Sequence, residues 1–257
     1  MYIDYSIANG VALITLNRPE KFNSFVREMS LELQAALKKA NDDNSVRAVL
    51  LSGNGKAFCA GQDLSEAIDP SGPGITKIVE EHYNPIIRLI RNLEKPVVAA
   101  VNGVAAGAGA NIALAADIVV AGKSASFIQA FSKIGLIPDS GGTFMLPRLI
   151  GFQRAAALML TADKVTADEA REMGMIYKVY EDEQLIAQAT ALAEQLAQMP
   201  TRGLWLTKKL LNASMTNNLD DQLKLEGQEQ TEAGGTEDHK EGVKAFLEKR
   251  KPVFKGR

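Results

Sequence analysis

The chain has 257 residues, 46% hydrophobic and 23% charged, a composition that excludes a disordered segment and fits a globular protein with one main core. Its 29 Lys and Arg against 31 Asp and Glu give a net charge of -2, which leaves no global positive field for nucleic acid or an anionic membrane. A single cysteine, Cys59, and two histidines, His82 and His239, rule out an intrachain disulfide and form no zinc pattern, so no metal is expected.

The first residues, Met1-Tyr-Ile-Asp-Tyr-Ser6, have neither a basic nor an apolar leader, which predicts a cytoplasmic location. Alternation through Ile3, Tyr5 and Ile7, a turn at Asn9-Gly10 and the run Val11–Leu16 predict a hairpin. Phe25, Met29, Leu33, Ala36 and Leu37 recur at helical spacing, with Asn23 or Ser24 as the expected N-cap. A buried strand over Val46–Ser52 then enters the Gly-rich loop Gly53–Gln62. The same order repeats: a helix over Thr76–Asn92, a strand over Pro96–Val101, a second Gly-rich turn, a short helix near Asn111–Ala115 and a strand over Asp117–Ala121. Strands alternating with helices predict an α/β chain with parallel pairing. After Ile150 helices dominate, apart from a strand near Met175–Tyr180, and from about Pro200 the apolar stripe of Leu204, Leu206, Leu210, Leu211, Leu219 and Leu223 predicts helices that cover another subunit.

Val97–Gly122 carries no Lys or Arg and contains Gly103-x-x-x-Gly107, but Asn102, Asn111 and Asp117 interrupt it and its Ala and Gly supply little transfer energy, so no membrane span is expected. Gly107-x-Gly109 lacks the third glycine of a dinucleotide fingerprint. The loops Phe58–Gln62 and Ala106–Gly109 do have the backbone freedom to aim N–H groups at a developing oxyanion; tight turns alone are the competing explanation. Asp139, after Pro138 and before Gly141-Gly142 in apolar surroundings, is the candidate acid/base. Asp139 or Ser140 could instead cap the helix running to Leu149. Ile137, Phe131 and Phe144 would raise the pKa of Asp139 if they line its pocket. Cys59 reads as packing, and both histidines as exposed helix residues.

Asn17-Arg-Pro19, Phe58-Cys-Ala-Gly-Gln-Asp-Leu64, Lys95–Gly103, Ala116-Asp-Ile118, Pro138-Asp-Ser-Gly-Gly-Thr143 and Gly242–Arg250 together resemble the enoyl-CoA hydratase/isomerase (crotonase) superfamily over nearly the whole chain. Gln62-Asp63 and the Pro-Asp-Ser-Gly-Gly run with Leu146-Pro-Arg148 are most similar to its ring-1,2-epoxyphenylacetyl-CoA isomerase branch, which acts in phenylacetate breakdown. The resemblance implies a spiral of β-β-α units over 1–199, a C-terminal helical region over 200–257 that builds trimers or hexamers, and a coenzyme A thioester as substrate with no separate cofactor.

It also implies that the backbone N–H groups of Gln62 and Ala108 polarise the thioester carbonyl, with the identity of the side chains of little consequence. Where the hydratases carry two glutamates this chain has Asn111 and Phe131, neither of which can act as a base. A single-carboxylate isomerase using Asp139 is the implied activity, on the epoxide or on a 3-enoyl thioester; a hydratase and an inactive CoA-binding subunit are the alternatives. Asn111 is a secondary site residue that also fits a structural role, and Phe131 is either a wall for an aromatic acyl group or plain core. Binding of the coenzyme is implied for Lys21, Phe22, Ala60, Gly61, Gly107, Phe246 and Lys249. The basic run Lys249-Arg-Lys251 would meet phosphates or lie frayed in solvent. Ile68–Gly74 would border the acyl pocket.

Overall fold

The computed structural model describes all residues, Met1–Arg257. Asn9 and Gly10 both adopt positive φ, as a tight hairpin turn requires, and join β1 (Ile3–Ala8) to β2 (Val11–Leu16) in antiparallel register. Helix α1 (Arg27–Asp42) buries Met29, Leu33, Ala36 and Leu37 on one face, at the spacing the sequence predicts. It starts later than expected. Its N-cap is Val26, with no side-chain cap, because Asn23 is buried and committed elsewhere: its amide donates to the carbonyls of Asn54 and Ala57.

The body is a three-turn spiral. In each turn one strand joins a large sheet, the next joins a small sheet, and a helical segment returns the chain. The first turn is β3 (Ala48–Gly53), β4 (Ala57–Cys59) and the helices α2 (Leu64–Ala67), α3 (Gly74–Lys77) and α4 (Asn84–Asn92). The second is β5 (Val97–Val101), β6 (Val104–Ala106) and α5 (Ala108–Leu114). The third is β7 (Ile118–Gly122), β8 (Ser126–Ile128) and α6 (Gly142–Ile150), followed by α7 (Phe152–Thr161), β9 (Lys164–Thr166), α8 (Ala167–Glu172), β10 (Lys178–Tyr180) and α9 (Asp182–Ala197). Because each turn advances by one strand, β3, β5 and β7 pair in parallel in one sheet and β4, β6 and β8 in the other. Every residue of β5 is buried, which is why its sequence is an unbroken apolar run rather than an alternation.

The small sheet is absent from the predicted elements. Its strands are three residues long, too short for a period of two to register, and three of them lie inside what read as Gly-rich or irregular sequence. The predicted helix over Thr76–Asn92 is interrupted by a π-helical turn, Ile78–Tyr83. Pro85 has no N–H to give the Glu81 carbonyl, and the Gln34 side chain supplies the missing donor to Glu81, at 2.8 Å. His82 lies in this turn and corrects the expected exposure: it is buried, neither ring nitrogen has a partner, and burial lowers its pKa.

Helices α10 (Thr201–Ser214), α11 (Leu219–Gly234) and α12 (Glu237–Leu247) end the chain. Lys208, only 5% exposed, fixes α10 to the spiral. Its ammonium donates to the Ile90 carbonyl at 2.7 Å and pairs with Asp117 at 2.8 Å; burial lowers its pKa and the carboxylate reverses only part of that. The C-terminus is not frayed: Arg250 pairs with Glu241 and Glu248, and the Lys255 and Gly256 N–H groups donate to Asp238. Leu211, Leu219, Leu223, Phe246 and Leu247 stay exposed on these helices. No helix is long and apolar enough to cross a membrane.

Replacing Lys208 with Met keeps the aliphatic stem but removes the buried ammonium from Asp117, which then keeps only the Val97 N–H and a longer contact from Arg91, and takes the donor from the Ile90 carbonyl. The expected cost is about 3 kcal/mol, read as a lower urea midpoint. An unchanged midpoint would show that this buried pair contributes nothing to docking of the helical region.

Candidate active site

The first Gly-rich loop is held from behind by Phe25. The Phe25 N–H donates to the Gly61 carbonyl at 2.7 Å, and the Asp63 N–H donates to the Phe25 carbonyl at 2.8 Å. In a trans peptide the C=O and N–H point in opposite directions. Anchoring the Gly61 carbonyl on Phe25 therefore turns the Gln62 N–H the other way, toward the cavity, with no acceptor in the protein.

The second loop does the same by a different route. The Gly107 carbonyl accepts from the Asn111 N–H at 3.2 Å as α5 begins, so the N–H of Ala108, the first helical residue, points back out of the helix. Gly61, at φ +92°, lets the loops approach: a Cβ there would stand 3.0 Å from the Ala106 carbonyl oxygen and 3.6 Å from the Ala108 nitrogen. At Gly109 a Cβ would meet the Cys59 sulfur at 2.7 Å. Cys59 is thus packing between the loops, its thiol pushed up to about 12 by burial, against which the Gly61 N–H bond works only weakly.

Both loops open onto a cavity of about 390 Å³, the scale of a small-molecule site. Of the residues expected in a site, Lys21, Ala60, Gly61, Gln62, Gly107, Ala108, Phe131 and Asp139 line it together. Phe131 is also almost fully buried, so the wall and core descriptions both hold. Leu64, Ala67, Ile75, Ile78 and Val79 add an apolar wall; Ile75 and Ala67 flank Ile68–Gly74, which does not itself line the cavity.

Asp139 has no cationic partner. Burial raises its pKa above the usual carboxylate range, and the Ser140 hydroxyl, donating to Asp139 Oδ1 at 2.8 Å, reverses only part of that. Asp63, also at the cavity, has the opposite setting. Burial alone would raise it, but Arg18 at 2.7 Å and the Ser65 N–H outweigh burial and hold its carboxyl low. Of the two carboxylates, only Asp139 is uncommitted. Neither Asp139 nor Ser140 caps α6; the N-cap is Gly141, and Ser140 sits at positive φ with its hydroxyl turned to Asp139.

The expected apolar surroundings of Asp139 are corrected. Ile137 is 82% exposed and Phe144 also faces outward, so of the three apolar neighbours only Phe131 lines the cavity. Asn111 is 2% exposed and lies behind the cavity: its amide donates to the Asp139 carbonyl at 2.9 Å and its oxygen accepts from Gln129 at 2.8 Å. Phe22 is exposed outside the cavity; its carbonyl accepts from the Ala60 N–H at 2.9 Å. Phe246 lines a separate cavity of about 470 Å³ among the C-terminal helices, and Lys249 lies in solvent beyond α12. That larger cavity has no uncommitted acid, since Asp238 is already bound by the backbone of the tail.

The sequence reading also missed Tyr83. It is fully buried, lines the cavity, and its hydroxyl donates to Gln62 Oε1 at 2.8 Å. Burial raises its pKa well above normal, with smaller contributions from Cys59, Asp139 and Glu66. The available signal was Pro85, two residues on, which breaks the helical ladder and re-aims the residues before it.

The two interleaved sheets, the parallel spiral and the terminal helices make this a crotonase fold. Residues 6–257 match the family model described as enoyl-CoA hydratase/isomerase, and the chain belongs to that family. It is 50% identical over 254 residues to the 1,2-epoxyphenylacetyl-CoA isomerase of Escherichia coli, covering 98% of this chain and 97% of that one. It is 46% identical over 255 residues to a "Probable enoyl-CoA hydratase" of Rhodobacter capsulatus, covering 99% and 98%. The crystal structure of an enoyl-CoA hydratase from Bacillus anthracis superposes with a TM-score of 0.93 at 35% identity over the full length of both chains.

The raised pKa of Asp139 has a stability consequence. Between the unfolded value, about 3.9, and the higher folded value the native state binds more protons than the unfolded one, so stability falls as pH rises through that window. Asp139→Asn removes this penalty while keeping an acceptor for Ser140. Its urea midpoint should exceed that of the wild type at about pH 7.5, and the difference should shrink at about pH 4. Equal midpoints at both pH values would mean that the carboxylate is solvated.

Proposed function

We propose that the protein is a cytoplasmic acyl-CoA isomerase in which Asp139 moves one proton. The observation that carries the reading is an uncommitted, desolvated carboxylate in the same cavity as two outward-turned backbone N–H groups. The Gln62 and Ala108 N–H groups would hold the thioester oxygen. In a 3-enoyl thioester the Asp139 carboxylate takes a proton from C2, and the C–H electron pair enters a dienolate whose charge rests on that oxygen. The neutral acid then returns the proton at C4, giving the 2-enoyl isomer and regenerating the carboxylate. Each oxyanion donor is worth about 3 kcal/mol in such sites, and the proton relay a factor of about a hundred to ten thousand.

The second substrate is ring-1,2-epoxyphenylacetyl-CoA, rearranged to the oxepin thioester in the same oxyanion cradle; the similarity to the Escherichia coli isomerase supports it. No cofactor beyond the coenzyme A of the substrate is invoked. The apolar side chains exposed on α10 to α12 support a homotrimer or a hexamer built through those helices.

A hydratase reading draws on relatives named as hydratases. Against it, the two positions at which the family resemblance places glutamates are Asn111, committed to the Asp139 loop and Gln129, and Phe131. The discriminating assay offers 3-hexenoyl-CoA, 2-hexenoyl-CoA and ring-1,2-epoxyphenylacetyl-CoA to the wild type and Asp139→Asn in deuterated water, with products separated by chromatography and read by mass. The expected outcome is isomerisation without hydration, reduced at least about a hundredfold in the variant. Hydration of the 2-enoyl thioester with little isomerisation would overturn the proposal in favour of a lyase, and silence on all three thioesters, the epoxide included, in favour of a CoA-binding subunit.

A further inference from the structure

The Gln62 side chain is not idle. Its amide nitrogen donates to Glu66 Oε2 at 2.7 Å, and since a carboxylate can only accept, this orientation is fixed. The amide oxygen is then available to Tyr83, whose hydroxyl donates to it at 2.8 Å. Glu66 is itself held in place, because its other oxygen accepts from the Arg27 N–H at 2.9 Å at the start of α1. Tyr83 packs edge-on against Phe25, with ring centroids 5.9 Å apart, and Phe25 is the residue that anchors the Gly61 carbonyl.

These contacts surround one peptide unit. Gly61 precedes Gln62 at positive φ, a conformation open to peptide rotation, and only the Phe25 bond restrains that peptide through the backbone. Rotation would carry the Gln62 N–H away from the cavity. The bonds from Tyr83 and to Glu66 clamp the side chain that follows the same peptide and oppose that rotation. The π-helical turn supplies the clamp. The extra residue in that turn, made possible where Pro85 breaks the ladder, places Tyr83 at Gln62.

We propose that Tyr83 is a positioning residue which, through Gln62 and with Glu66, keeps the Gln62 N–H aimed at the thioester oxygen. The proposal rests on the oxyanion assignment above. It also corrects the expectation that the identity of the Gln62 side chain matters little.

The test is the infrared carbonyl stretch of hexanoyl-CoA carrying ¹³C at the thioester carbon, bound to the wild type, Tyr83→Phe, Glu66→Ala and Glu66→Gln. In the wild type the band should move to lower frequency than in free ligand. In Tyr83→Phe, which keeps the ring and its packing, and in Glu66→Ala it should return part of the way, with kcat down about tenfold and KM changed less than about twofold. Glu66→Gln has one oxygen for the two donors, Gln62 and the Arg27 N–H, so its band should lie between those of the wild type and Glu66→Ala. A wild-type band at the free-ligand frequency would overturn the oxyanion assignment itself. A shifted wild-type band that Tyr83→Phe leaves in place would overturn only the role of Tyr83. A change in melting temperature without a change in the band would likewise reduce Tyr83 to packing.

Discussion

A carboxylate withdrawn from water without a cation is the constraint around which this site is organised. Left free, Asp139 would turn to solvent or recruit a basic residue; its loop prevents both. The Asn111 amide and the Gly142 N–H hold its carbonyl, and Gln129 holds Asn111. Ser140 and Gly141, consecutive residues at positive φ, bend the chain so that α6 leaves in a different direction. Ser140 in that conformation is mildly strained, and it is the residue whose hydroxyl stays with the carboxylate. Asp63, in the same cavity but paired with Arg18, shows what a structural carboxylate looks like in this protein. The contrast between the two environments separates their proton affinities, which is why the proposed proton transfer falls to Asp139 rather than Asp63.

The spiral makes the rest of the site follow. Each turn crosses from the large sheet to the small one and then enters helical structure, so the loops after β4 and β6 fall side by side. Parallel pairing of those two strands sets the loops in register, and small residues at their contact let them close. Two backbone donors then converge without any side chain being committed. This leaves the remaining wall free to set chemistry and specificity. In this chain that wall is largely apolar, and its polar members are Lys21, Ser24, Asp63 paired with Arg18, Gln62 joined to Tyr83, and the single uncommitted acid.

What could be read from the sequence was what periodicity and rigid motifs encode. The strands of the large sheet are long and buried enough to leave an apolar run, and the Gly-rich loops mark the site because only small residues fit there. Asp139 was legible because a carboxylate is conspicuous among apolar neighbours. The small sheet left too short a pattern to detect. Tyr83 escaped because a π-helical turn shifts which residues face inward, and helical spacing cannot anticipate that shift. His82 was misplaced for the same reason. Ile137 and Phe144 are near Asp139 in sequence but turn outward rather than into the cavity. Phe246 and Lys249 lie away from this cavity in the single chain, Phe246 at the cavity among the C-terminal helices and Lys249 in solvent.

The central claim is that one group both removes and returns the proton. It is tested most directly by turning over 3-hexenoyl-CoA deuterated at C2 in ordinary water and locating the label in the 2-hexenoyl product. A carboxylate shielded from solvent should deliver part of the deuterium it removes to C4 before exchange, so a measurable fraction of product should carry the label there. Product with no deuterium at C4 at any stage of turnover would contradict a single shielded carrier and point to separate groups, or to water, for the two proton transfers.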